Sequence, residues 1–179
     1  NIIQLYHQAA PAPSVLELCT FLTNLVENVL SWEFGSYNSQ STSINTKQTL
    51  IRIPQNWKQH VLSLPFLEAL FRFYQIILTQ SPSLSHSIRQ LFILYTSFTG
   101  PVFSSNDEKT SFCAFWAQGL LSIPINSKEE MVDVCTIILR LVSNFKLSVM
   151  EQCPAFTSIL ELMQKIGIEV LNQSLHQCK

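Results

Sequence analysis

The sequence predicts an all-α protein assembled from successive antiparallel helix pairs, and three observations lead there. Apolar residues recur at i, i+3, i+4 and i+7 along most of the chain. No segment carries the alternation of a half-buried strand or the Asn-Gly turn of a hairpin. Corresponding helix starts repeat after 43 residues (Pro65 to Glu108) and 44 residues (Leu84 to Lys128).

In chain order, Val15, Leu18, Cys19, Leu22, Leu25, Val26 and Val29 make one face of a helix near 14–32. "GSYNSQSTSINT" then offers too few apolar groups to offset the entropy of ordering it. Residues 35–56 are therefore expected to form a polar loop between Trp32 and Trp57, mobile over 35–52 and open to trypsin after Lys47 or Arg52. Leu67, Leu70, Phe71, Tyr74, Ile77 and Leu78 predict a helix near 65–80; "TQSPSLS" turns the chain; Ile88, Leu91, Phe92, Tyr95 and Phe98 predict its partner near 84–99. Gly100-Pro101 stops that helix. Phe112, Phe115, Trp116, Leu120 and Ile123 mark a helix near 108–123. Ser127-Lys128-Glu129-Glu130 reads as a capping box, in which hydroxyl and carboxylate satisfy orphan amides, and opens a helix near 128–145. Its stripe is Met131, Val134, Cys135, Ile138, Leu141, Val142 and Phe145. Phe156, Ile159, Leu160, Met163 and Val170 mark a last helix near 155–176.

The repeat length falls in the roughly 40–47 residues of HEAT and armadillo units. Ile93, Leu94, Ile137 and Leu139 lie off the main stripes, as expected where each helix pair is sandwiched between neighbours. Residues 1–179 are thus expected to be a single section of an α-solenoid of HEAT-like pairs, with a four-helix bundle as the rival arrangement.

Composition narrows the function. The chain is 47% hydrophobic and 13% charged, against about 25% charged in an ordinary soluble domain. Its 11 basic and 12 acidic residues leave a net charge of −1 without a basic cluster, so no direct contact with nucleic acid is expected. "TSFCAFWAQGLLSIPINS" is uncharged but interrupted by Gln118, Gly119 and Pro124, and its apolar core falls short of the roughly 20 residues of a spanning helix; no membrane insertion is expected. A start at Asn without a leader pattern suggests an internal fragment. Cys19, Cys113, Cys135, Cys153 and Cys178 show neither C-x-x-C nor zinc-ligand spacing and read as reduced thiols of the cytosol or nucleus. Asn172-Gln173-Ser174, a glycosylation triplet, falls in a predicted helix and reads as chance.

No catalytic motif appears in the sequence. Four glycines cannot build a phosphate-cradling loop, no G-x-S-x-G or H-E-x-x-H occurs, and His7, His60, His86 and His176 stand alone. No catalytic, cofactor-binding or metal-binding residue is expected. Glu129, Glu130 and Asp133 form the densest acidic group, explained by the helix macrodipole or by a basic partner.

Five phrases in order carry a resemblance: "NLVENVLSWEF"; "PQNWK" with "HVLSLPFLEALFRFYQ"; "LYTSFTGPVF"; "FWAQGLLSIP"; and "IILRLVSNFKLSVMEQCPAF". Over most of residues 20–162 the chain resembles the exportin branch of the karyopherin-β (importin-β) superfamily, nearest its exportin-4 subfamily. "GSYNSQSTSINTKQT" departs from that pattern. The resemblance implies a nuclear transport receptor that is not an enzyme and shuttles between nucleus and cytoplasm through the nuclear pore. Such receptors bind protein cargo and Ran-GTP in a curved superhelix and touch nucleoporins weakly. It also implies that Ran-GTP is held through the parent chain, since the repeats resembling the main Ran site precede this section. Arg89, Glu130, Asp133 and Arg140, on the second helices of pairs, become the candidates for partner contact. A HEAT scaffold subunit of a static complex would show the same stripes and stays open.

Overall fold

A computed structural model of the chain describes residues 13–31, 50–125, 127–145, 149, 151–154 and 156–177. The expected loop over 35–49, with Lys47, and the residues Trp32 and Cys178 lie outside them. Described residues form seven α-helices, one 3-10 turn and one pair of two-residue strands, so the all-α class holds. The chain forms two compact units that divide after Ser104.

In the first unit, α1 (Pro13–Ser31) packs against α4 (Pro82–Thr96). Its buried line is Cys19, Thr23 and Leu30, whereas Leu18 and Leu25 of the expected stripe are 44% and 48% exposed. The seven-residue stripe spans more arc than one neighbouring helix covers, so packing selects part of it. After residues 32–49, β1 (Ile51–Arg52) runs parallel to β2 (Phe98–Thr99), with Ile51 opposite Phe98. Ile51 N–H donates to the Ser97 carbonyl at 3.0 Å and Ile53 N–H to the Thr99 carbonyl at 3.3 Å. This corrects the expected loop at its C-terminal end. Ile51 and Ile53 are buried on either side of exposed Arg52, whose backbone pairs with Thr99 in the two-residue ladder.

The Gln55–Trp57 3-10 turn and the four-residue α2 (Lys58–Val61) lead into α3 (Leu64–Ile77). Pro65 sits in the first turn of α3, where its missing N–H has no helical acceptor to lose. Ser81 caps α4, its hydroxyl accepting from Leu84 N–H at 3.4 Å, and the short connection makes α3 and α4 antiparallel. An aromatic cluster locks the pair: Phe71 and Phe92 stack with centroids 4.6 Å apart, and Tyr74 leans on Phe92 at 5.6 Å. Ala69 and Phe73, off the predicted stripe, are fully buried too, giving α3 a broad apolar face.

Gly100 makes the turn that follows β2. Its φ of +88° is the left-handed region, and a Cβ there would lie 2.6 Å from Arg52 Cγ. Because the Arg52 side chain is exposed and can swing aside, backbone strain dominates. Gly100→Ala should lower unfolding free energy by about 1–2 kcal/mol in urea titration; an unchanged midpoint would show the turn to be relaxed.

In the second unit, α5 (Asn106–Leu121) is capped by Ser105, whose hydroxyl accepts from Glu108 N–H at 3.2 Å. Phe112, Cys113, Trp116, Ala117 and Leu120 are its buried line. The predicted capping box is present at the head of α6 (Lys128–Asn144). The last helix, α7 (Phe156–Gln177), packs on α5 and α6. It buries Ile159 and Ile166, while Leu160, Met163 and Val170 of the expected stripe are about half exposed. Helix α7 is apolar on two sides, and the sequence gives no sign of which side faces in.

Candidate partner-binding site

The apolar helix faces leave a groove in each unit. In the first, Leu25, Val26, Val29 and Leu30 of α1 face Trp57, Val61, Phe66 and Tyr95 across about 480 Å³. Its polar groups are few: His60 lies 3.4 Å from the Gln59 amide, and no carboxylate or thiol lines it among the described residues.

The second unit holds a larger groove of about 760 Å³. The Ser122 hydroxyl donates to the Gly119 carbonyl at 2.6 Å and ends α5, and Pro124 keeps the following chain out of helix. Ile123, Met131 and Ile166 form an apolar floor, and Leu121 stands at the edge, 47% exposed. Glu161, Lys165 and Glu169 follow at four-residue steps along α7 and line the charged side, with Glu161 placed N-terminal to Lys165 in the favourable order. Both volumes suit an inserted side chain or short peptide. Largely apolar linings edged by a few polar groups are the kind of surface that binds a partner's side chain.

Glu161, Lys165 and Glu169 went unnamed in the sequence reading; their four-residue spacing is the signal that could have found them. The four residues it did name are distributed as follows. Arg89, on α4, is 3% exposed, and its Nη1 donates to Tyr74 Oη and Ser85 Oγ, each at 3.4 Å. On α6, Glu130 is 9% exposed and committed to the cap: Ser127 N–H donates to its Oε2 at 3.1 Å while Glu130 N–H donates to Ser127 Oγ at 3.1 Å. Asp133 is buried as well. Arg140, on the same helix, is half-buried; its Nη1 is enclosed without a hydrogen-bond acceptor among the described residues, and burial lowers its pKa. So three of the four charges serve the interior or a helix end, and Arg140 retains unsatisfied donor capacity.

The buried thiols are poor nucleophiles. Burial, reinforced by Cys153, pushes Cys113 from its ordinary 9.0 up to about 12. The folded state then keeps a proton that the unfolded chain releases, so this contribution to stability is full below pH 9.0 and is lost as pH rises toward 12. Urea midpoints should fall from pH 8 to pH 10.5, and Cys113→Ala should flatten that fall; an equal slope in both proteins would remove Cys113 as the cause.

No protein-family model matches the chain. No helix among the described residues is long and apolar enough to cross a membrane. Over 161 residues, which cover 87% of this chain, the sequence is 26% identical to Ran-binding protein 16 of Drosophila melanogaster. The chain spans only 14% of that relative. The likeness accords with a karyopherin-like relationship at low identity and does not single out the exportin-4 subfamily.

Proposed function

We propose that this chain is a section of a nuclear transport receptor of the exportin branch, nearest exportin-4 by its sequence phrases. The parent protein carries protein cargo out of the nucleus together with Ran-GTP, touches nucleoporins on the way, and cycles between nucleus and cytoplasm. One observation carries this reading: similarity across 87% of the chain to a protein named for binding Ran. The ordered phrases from "NLVENVLSWEF" to "QCPAF" support it independently. The mechanism is coupled binding. Ran-GTP and cargo favour the same curvature of the helix array, each raises the other's affinity, and GTP hydrolysis removes the coupling. A receptor of this kind needs no catalytic side chain, in keeping with apolar grooves edged by a few charges. Arg89, Glu130, Asp133 and Arg140 are the proposed partner contacts, with Arg140 the member best placed to use its charge.

Photobleaching tests the receptor reading against a static scaffold. With the parent protein fluorescently tagged, nuclear signal should recover from the cytoplasmic pool within minutes and depend on the Ran gradient. A signal that stays bleached would favour the scaffold.

A further inference from the structure

The groove of the second unit carries a row of charges beside an apolar opening, and the two together specify an occupant. Glu161, Lys165 and Glu169 are exposed on α7 and line one wall. Steps of four residues hold them within about 80° of arc and about 12 Å of helix, so the wall presents negative, positive and negative groups about 6 Å apart. Leu121 and Pro124, at and just past the end of α5, are exposed, and Leu162 of α7 is half-buried. Apolar surface therefore stays open to solvent above the buried floor.

Each feature narrows the ligand. An opening of about 760 Å³ takes inserted apolar side chains. The charge row calls for the opposite order of signs, positive, negative and positive, at the same intervals. A helix supplies side chains every 6 Å or so from positions i, i+4 and i+8, with its backbone groups satisfied internally. An extended segment would instead bring unpaired N–H and C=O groups against side chains, at a desolvation cost. A second copy of α7 is a poor occupant in register: parallel or antiparallel, it sets Glu161 and Glu169 against glutamate and Lys165 against lysine.

We propose that this groove docks an amphipathic helix of a partner protein, its apolar side chains entering beside Leu121, Pro124 and Leu162 and a Lys-Glu-Lys row at i, i+4 and i+8 pairing with Glu161, Lys165 and Glu169. The partner excludes the water and salt that screen these charges on the free helix, which strengthens each pair. The inference names the kind of partner for the groove and holds for a transport receptor or a scaffold alike, so its failure leaves the nucleotide-dependence of Ran binding untouched.

The test uses the whole 179-residue chain and fluorescein-labelled helical peptides read by anisotropy. One carries the Lys-Glu-Lys row beside a leucine stripe, one of identical composition has the row shuffled to Lys-Lys-Glu, and one has it reversed to Glu-Lys-Glu. In low salt the matched peptide should bind at least about tenfold more tightly than either of the others, and the margin should shrink at about 1 M salt. Leu121→Glu, at an exposed position, should weaken its binding at least about tenfold. The triple variant Glu161→Lys, Lys165→Glu, Glu169→Lys changes exposed residues and should prefer the Glu-Lys-Glu peptide. Should the triple variant lose its helical signal, Lys165→Glu alone should erase the margin of the matched peptide over the shuffled one. The proposal is overturned if the matched peptide fails to bind at about 1 mM, if the shuffled peptide binds equally well, or if the original preferences survive these charge changes. Dimerisation of the chain alone that Leu121→Glu abolishes would make a second copy the occupant and would overturn it too.

Discussion

Replacing Trp116 with alanine should cost the protein about 3–5 kcal/mol of unfolding free energy. The indole is fully buried on α5, with the Phe112 centroid 6.0 Å away and edge-on and the Phe115 ring perpendicular at 6.1 Å. Phe112 in turn meets Phe145, 6.1 Å away, beyond the end of α6. Removing the indole therefore strips contact from several rings at once, and a cavity of that size fills only partly by relaxation. Circular-dichroism melts should shift down by about 10 °C or more, with Trp116→Phe losing clearly less. A Trp116→Ala melt that overlays the wild type would place the indole outside the core.

Phe92→Ala should have a comparable effect, about 3–5 kcal/mol, in the first unit. Phe92 is fully buried on α4 and is the ring shared by Phe71 and Tyr74 of α3, so its loss unties the antiparallel pair from both sides. Tyr74 is tied by its hydroxyl to Arg89, so the damage reaches a buried charge as well. Phe92→Leu, which keeps apolar volume but not ring stacking, should retain most of the stability. Equal losses for the leucine and alanine variants would mean that ring geometry, not buried volume, holds the pair.

Much of this architecture was legible because helix periodicity depends only on spacing. The buried lines of α3 and α5 contain most of the residues their stripes named, and Ser127 and Glu130 form the cap that their three-residue separation predicts. Legibility failed where the code is ambiguous. Helices α1 and α7 carry apolar residues on more than one side, and which side packs is settled by neighbours far along the chain. Leu18, Leu25, Leu160 and Met163 consequently stand exposed. The short strand at Ile51–Arg52 was hidden because its partner, Phe98–Thr99, lies 47 residues away and no two-residue pattern announces a parallel bridge. The candidate contacts fared differently from one another for a physical reason. Spacing places Arg89, Glu130 and Asp133 on helices, but only coordinates reveal that the first two are committed to Tyr74, Ser85 and Ser127. The grooves were not legible at all, since Ile123 and Ile166 meet only after folding.

Affinity of the parent protein for Ran in its two nucleotide states tests the transport reading most directly. The account predicts that the parent binds Ran-GTP at least about tenfold more tightly than Ran-GDP and tighter still with export cargo present, a coupling of about 5–150-fold. The 179-residue section alone should bind either form weakly or not at all. Equal affinity of the parent for both nucleotide forms would contradict the account and leave a static helical scaffold in its place.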